Sequence, residues 1–229
     1  MVSKQSRKPN LVAKKQPEQQ RAAETYEHIL EVAAQMLGDV GVERLSTNMI
    51  CQQAGLTPPA LYRYFPNKYA LLCELGQRLM QRQNELIPHW ITAQALGGSV
   101  AELETALAGL LLDTYRVTKQ TTGGVWILRA LHAVPALQKV RLSSHALVTE
   151  AQGRLLVDAF PGVPPDELML VGRVAVDMIY AGVEMLFDVP LNARDVARVI
   201  AGMVASHLDR LRPQPARRRS GRRRDVNLE

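Results

Sequence analysis

Residues 47–68, TNMICQQAGLTPPALYRYFPNK, hold the densest set of side chains able to read another molecule. A short run with apolar residues at helical spacing is followed by a glycine. A second short run then opens with Thr57, Pro58 and Pro59. Two short helices joined by a tight glycine turn make a helix-turn-helix pattern, whose second helix can enter a DNA major groove. Ile50 and Ala54 would pack the first helix inward, and Leu61 and Phe65, four residues apart, the second. Gly55 permits the turn. Thr57, Pro58, Pro59, Ala60 and Tyr62 are then left on the outer side of a helix about two turns long, where a short probe could meet base edges. Periodicity alone equally allows a helical hairpin with no nucleic-acid role, because patterns of this kind are common.

Other chemistries find little support. There is no nucleophile elbow, glycine-rich phosphate loop, His-x-x-x-His pair or paired-carboxylate spacing, so an enzyme is not expected. His89, His145 and His207 are scattered, and none makes a metal-ligand spacing, so neither metal nor cofactor is expected. The two cysteines, Cys51 and Cys73, are too few for a disulfide framework and fit a reducing cytosol. For Cys51, core packing competes with a redox-switch reading. No run of about 18 apolar residues appears, and the basic N-terminus lacks an apolar signal region, so a cytoplasmic chain with no membrane partner is expected.

The formal charge of +6 is unevenly placed. Residues 1–21 carry six basic side chains against Glu18. Residues 212–229 carry seven arginines against Asp225 and Glu229, which leaves 22–211 at −4. Short like-charge blocks without apolar periodicity predict a flexible basic arm over 1–21 and a disordered basic tail over 212–229, either of which could meet phosphate.

The elements that must position the 47–68 segment are helical. Ile29, Leu30, Ala33, Met36 and Leu37 share one face of a helix over 22–38, stopped by Gly-Asp-Val-Gly at 38–41. A short helix fits Thr47 to Ala54. Thr57 can cap the next, with Pro58 and Pro59 in its first turn, and Asn67 can cap a helix from Lys68 to about Leu86. Ser99-x-x-Glu102 reads as a capping box before a helix that ends at Gly123-Gly124. A shorter helix carries Trp126 and Leu131. Pro135 begins a long one to about Phe160, residues 166–188 form one that is apolar nearly all round, and the last runs from Asn192 to about Leu211. With no useful β-alternation, the fold class is all-α with roughly nine helices.

The run AGLTPPALYRYFPNKYALL, 54–72, resembles the TetR family signature, in which Ala-Gly, then Leu-Tyr-x-x-Phe, then a lysine opening the next helix recur in order. The resemblance covers residues 22–75 at signature level and only the helix plan beyond. It implies a helix-turn-helix DNA-binding domain over 22–75 and a helical ligand-binding and dimerisation domain over 76–211. The function it implies is transcriptional regulation of double-stranded operator DNA, as a homodimer and as a repressor released by a small, largely apolar effector. A regulator without effector, or an activator, is the alternative within that class. Carried over residue by residue, Thr47 and Asn48 match positions reaching a phosphate and a base edge. Pro58, Pro59 and Ala60 match the base-facing first turn. Tyr62, Tyr64 and Lys68 match phosphate contacts. Pro59 and Ala60 depart from the usual Gly or Ala followed by Ser or Thr, so base reading falls to thymine-methyl contact and to Thr57, Asn48 and Arg63.

For the second domain the family implies dimerisation through the last two helices. Ala197, Ala201 and Ala205, at i+4 spacing, would let a partner helix approach, or would serve packing within the chain. Tyr115, Trp126, His132, Met178 and Tyr180 are candidate pocket residues, though residues of these kinds are more often plain core. Arg129, Arg173 and Asp177 lie in apolar helices and could pair with one another, recognise a polar ligand group or face solvent.

Overall fold

The computed structural model describes residues 20–212. The expected basic arm and tail, but for residues 20, 21 and 212, lie outside them. The described chain is all-α, and its head comprises α1 (Gln20–Arg44), α2 (Thr47–Ala54), α3 (Pro58–Tyr62) and the start of α4 (Lys68–Asn84). The body adds α5 (Ile87–Trp90), α6 (Ala93–Gly97), α7 (Val100–Gln120), α8 (Gly124–Ala133), α9 (Gln138–Ala159), α10 (Pro165–Asp188) and α11 (Ala193–Leu211). That is eleven helices, not nine, because the 85–98 segment folds as two single turns. Pro88 sits inside the first turn of α5, where a missing N–H is no loss.

Local chemistry explains most boundaries. Ser46 accepts from the Met49 amide to start α2, and Gly55 ends it in the left-handed region at φ 65°. Asn67 caps α4 through the Ala70 amide at 3.0 Å. The capping box at Ser99 and Glu102 is formed in both directions. Two expected boundaries move. The 38–41 stretch breaks α1 at its last residue: Gly38 stays helical, and the break comes at Gly41, with φ 73° and ψ 171°. Those angles are open only to glycine. The long helix starts at Gln138 rather than Pro135, because residues 134–137 turn back on themselves through Leu137 N–H to Val134 C=O and Gln138 N–H to Pro135 C=O.

One continuous apolar core runs through head and body. In the head Tyr26 stacks on Phe65 at 4.8 Å between centroids and meets Tyr64 edge-on. Arg78 ties α1 to α4, pairing with Glu27 at 2.5 Å and Glu74 at 2.9 Å while lying over the Tyr26 ring. In the body α11 lies along α7, and α9 along α10. Ala197, Ala201 and Ala205 are buried and belong to the inward side of α11, where their small size lets α7 approach. They serve packing within the chain and present nothing to a partner.

Candidate nucleic-acid interface

The helix-turn-helix is built as a wedge whose inner side is anchored and whose outer side is open. Ile50, Leu61 and Phe65 are fully buried, and His28 of α1 reaches the Ala54 carbonyl at 3.3 Å, fixing the end of α2. On the outside stand Asn48, Thr57, Pro58, Pro59, Tyr62 and Arg63, all exposed, with Ala60 half-buried between them. Thr57 occupies the N-cap position of α3, but its hydroxyl makes no capping bond, so it remains available outward. The Thr47 hydroxyl and the Tyr62 hydroxyl lie 3.0 Å apart, joining the start of α2 to the end of α3.

Two expected phosphate contacts take other positions. Tyr64 is buried, its ring against Tyr26, so it supports the wedge from behind. Lys68 Nζ donates to the carbonyls of Val42, Glu43 and Leu45 at 3.1, 3.5 and 3.2 Å. Those carbonyls follow the break at Gly41 and lack helical partners, and the ammonium satisfies them with all three of its donors. The same side chain therefore locks the α1–α2 connection. Sequence reasoning missed Ser46, His28 and this bracket; the only available signal was a lysine placed after a helix break in the preceding segment. Cys51 is 3 % exposed, and burial raises its thiol pKa, which disfavours the thiolate and a redox role.

The body does not gather the eight expected pocket residues into one site. Trp126, Arg129 and His132 line an open groove where α8 meets the end of α1. There Arg129 lies 5.0 Å over the Trp126 ring and pairs with Asp188, and His132 meets Glu184 at 2.6 Å. Tyr115 packs on Phe187. Arg173 and Asp177 pair at 2.9 Å, and Asp177 also holds His145 Nδ1 at 2.8 Å, with His145 stacked on Tyr180. Desolvation lowers the His145 pKa even though Asp177 opposes it, and burial raises that of the Tyr180 phenol. Met178 packs against the core.

The apolar cavity of the body lies elsewhere. About 70 Å³ is bounded by α5 and α6, Leu103 and Leu107 of α7, Leu156 of α9, Ala175 of α10 and Leu208 of α11. None of the eight residues lines it. Its cover is held at two points. Trp90 Nε1 donates to Asp113 at 2.9 Å, and its ring lies over Gly109, where any Cβ would collide with it. Arg212 donates to the carbonyls of Leu96 and Gly98. Facing aliphatic stripes at 103/107/110 and 171/175/179 were the sequence signal for this cavity, but they read equally as core.

The outer sides of α10 and α11 carry Leu170, Val174, Val199 and Met203, each between 48 and 64 % exposed. A large exposed apolar patch on a folded chain marks an interaction surface. Among the described residues, no cluster of three or more His, Cys, Asp or Glu could hold a metal, and no helix is long and apolar enough to cross a membrane.

An anchored helix-turn-helix head on a helical body with an apolar outer face defines the class of two-domain, helix-turn-helix regulator folds. Residues 29–75 match the family model for bacterial regulatory proteins, tetR family, so this segment is similar to the DNA-binding domain of that family. Over 54 residues it is 39% identical to the tetracycline repressor protein class C of Escherichia coli, and over 59 residues 30% identical to the class H repressor of Photobacterium damsela subsp. piscicida. These matches cover 24% and 26% of this chain and 25% and 27% of the repressors, so the likeness spans about a quarter of those relatives. The fold likeness extends further. A TetR-family regulator of Streptomyces coelicolor superposes with a TM-score of 0.52 at 25% identity, covering 82% of this chain and 99% of that one. The fatty acid degradation regulator FadR of Bacillus halodurans gives 0.59 at 17% identity, covering 84% and 97%.

Proposed function

We propose that this protein is a DNA-binding transcriptional regulator that binds double-stranded operator DNA as a homodimer. One observation carries the reading: within the TetR-family domain, Asn48, Thr57, Tyr62 and Arg63 are all exposed on the open side of a wedge whose other side is locked into the core. Phosphate contacts position such a head, and base-edge contacts give it sequence preference. The outward face of α10 and α11 supplies the dimer contact, which would place two heads on a two-fold symmetric site. The protein acts in the cytoplasm and performs no catalysis.

We further propose that it is a repressor, released when a small, largely apolar molecule occupies the body. The cavity beneath α5 and α6 supports this part of the reading. Coupling between such sites is typically about 1–3 kcal/mol and is reciprocal, so operator DNA must lower ligand affinity by the same factor.

The test is a gel-shift titration of the full-length protein on DNA from upstream of its own gene, with and without unrelated competitor. Retention of one palindromic segment in the presence of competitor is the expected result. Equal affinity for every segment would overturn sequence-specific regulation.

A further inference from the structure

We infer that the outer ridge Pro58-Pro59-Ala60 reads the C5-methyl group of a pyrimidine in the major groove of the operator, so that thymine and 5-methylcytosine satisfy it alike while uracil and cytosine do not. This rests on the proposed DNA binding by the head, and it names the group that one position of each half-site must carry.

Three observations carry it. The first is that the ridge has no hydrogen bond to give. Pro58 and Pro59 have no amide N–H. The Ala60 N–H is spent on the Thr57 carbonyl at 3.0 Å, and the Pro59 carbonyl is taken by the Arg63 N–H at 3.1 Å. None of the three side chains carries a polar atom. The amides with which the start of a helix commonly holds a phosphate are missing here, so the ridge has nothing to offer the sugar-phosphate backbone.

The second is the chemistry of the groove. Guanine N7 and O6, adenine N7 and N6, cytosine N4 and thymine O4 are polar, and the thymine methyl is the apolar group among them. A polar edge pressed beneath the ridge loses its water and gains no partner, which costs affinity. A methyl in the same place is stabilised by leaving water.

The third is the setting of the ridge. Pro58 and Pro59 are exposed and Ala60 is half-buried on the open side of the wedge. Leu61 and Phe65 behind them are fully buried, so the ridge is held outward by the core. Proline fixes φ, and neither proline nor alanine loses rotamer freedom when covered, so the small gain from one methyl is not offset by ordering. Polar side chains flank the ridge: Thr57 precedes it, with a hydroxyl free of any capping bond, and the exposed Arg63 follows it. With Asn48 they leave hydrogen-bonded reading to the neighbouring base pairs.

The experiment uses the full-length protein and the segment of its own upstream DNA that it retains over competitor. Each thymine of one half-site, then of both, is replaced by uracil, which removes the methyl and keeps every polar group of the base. Fluorescence anisotropy reads the affinity. One thymine of each half-site should respond, with affinity falling about fourfold for one and about fifteenfold for both, the worth of a buried methyl counted once and twice. At that position a C·G pair should bind more weakly than T·A, and C5 methylation of its cytosine should recover about fourfold. Pro58→Ser with Pro59→Ser restores amides and hydroxyls and should bring uracil level with thymine. Arg63→Ala should weaken binding and keep the uracil penalty. Circular dichroism establishes that each variant is folded. A half-site in which no uracil lowers affinity overturns the inference, as does a cytosine whose methylation changes nothing or a uracil penalty that survives in the double proline variant. The uracil and 5-methylcytosine arms leave the protein untouched, so they decide the matter even where that variant binds too weakly to compare. Failure to prefer any segment over competitor is a different result: it overturns the proposed regulator, and this reading with it.

Discussion

The hydroxyls of Thr47 and Tyr62 share a hydrogen bond of 3.0 Å across the helix-turn-helix. One stands at the first residue of α2 and the other at the last residue of α3, so the bond fixes the splay between the two helices on their open side. Tyr62→Phe keeps the ring and removes the bond. Operator affinity should fall by about 0.5–1.5 kcal/mol, the worth of a neutral hydrogen bond, with little change in unfolding temperature. Fluorescence anisotropy on labelled operator measures it, and an unchanged affinity would show that the splay is set by the core alone.

Asn48 is an exposed amide in the first turn of α2, and the outer turn Pro58-Pro59-Ala60 offers no side-chain hydrogen bond. Asn48→Ala should relax preference at one base pair per half-site by about 1–3 kcal/mol. Selection on randomised operators reads this directly. Preference retained at every position would remove the base-reading role.

Lys68 holds three carbonyls, so its loss should act on stability before DNA. Lys68→Met should cost about 1.5–3 kcal/mol in urea unfolding, as for a hydrogen-bonded charged group, and leave the salt dependence of operator binding nearly unchanged. If instead stability held while the salt slope fell by about one unit per subunit, the ammonium would be a phosphate contact.

Val199 and Met203 project from the outer side of α11. Val199→Glu with Met203→Glu should place charges on the proposed dimer face and yield folded monomers by sedimentation velocity. A dimer that persists would place the interface elsewhere.

His145 is buried, and its pKa lies below the ordinary imidazole value, desolvation outweighing the pull of Asp177. The unfolded chain then binds a proton that the folded chain resists. Stability is therefore full above about pH 6.5 and is lost as pH falls from there through the lowered folded value. His145→Asn should flatten that part of the stability profile, as measured by urea denaturation at successive pH values. A profile of identical slope in the variant would assign the acid sensitivity to other groups.

The helices and their caps were largely readable from local sequence, because a cap is a short-range bond: Asn67, the Ser99–Glu102 box and Gly55 all act within a few residues. The run through Gly38 was not, since a glycine by itself does not tell a helix interior from a stop, and the break falls three residues later at Gly41. The exposure of Thr57 and Tyr62 was legible from the helical register, whereas Asn48 and Arg63 were named only through the resemblance. The burial of Tyr64 was not legible, because its neighbour across the core, Tyr26, comes from another helix. The cavity lined by none of the eight candidate pocket residues escaped notice for a related reason. Aromatic and charged side chains attract attention in a sequence, yet the cavity is walled mainly by leucine, isoleucine and valine, identical in kind to residues that simply pack.

Trp126 lies beside Gly41, and α8 packs on both α1 and α4, so the head shares its walls with α8. A thermodynamic consequence follows. Residues 22–75 and 76–211 divide by role but not by cooperativity, because melting α8 would strip both contacts from the head at once. Calorimetry on the whole chain should show one transition. A head expressed alone would expose the apolar surface that α8 covers and unfold at lower temperature, so whatever steadies the body also steadies the part that touches DNA.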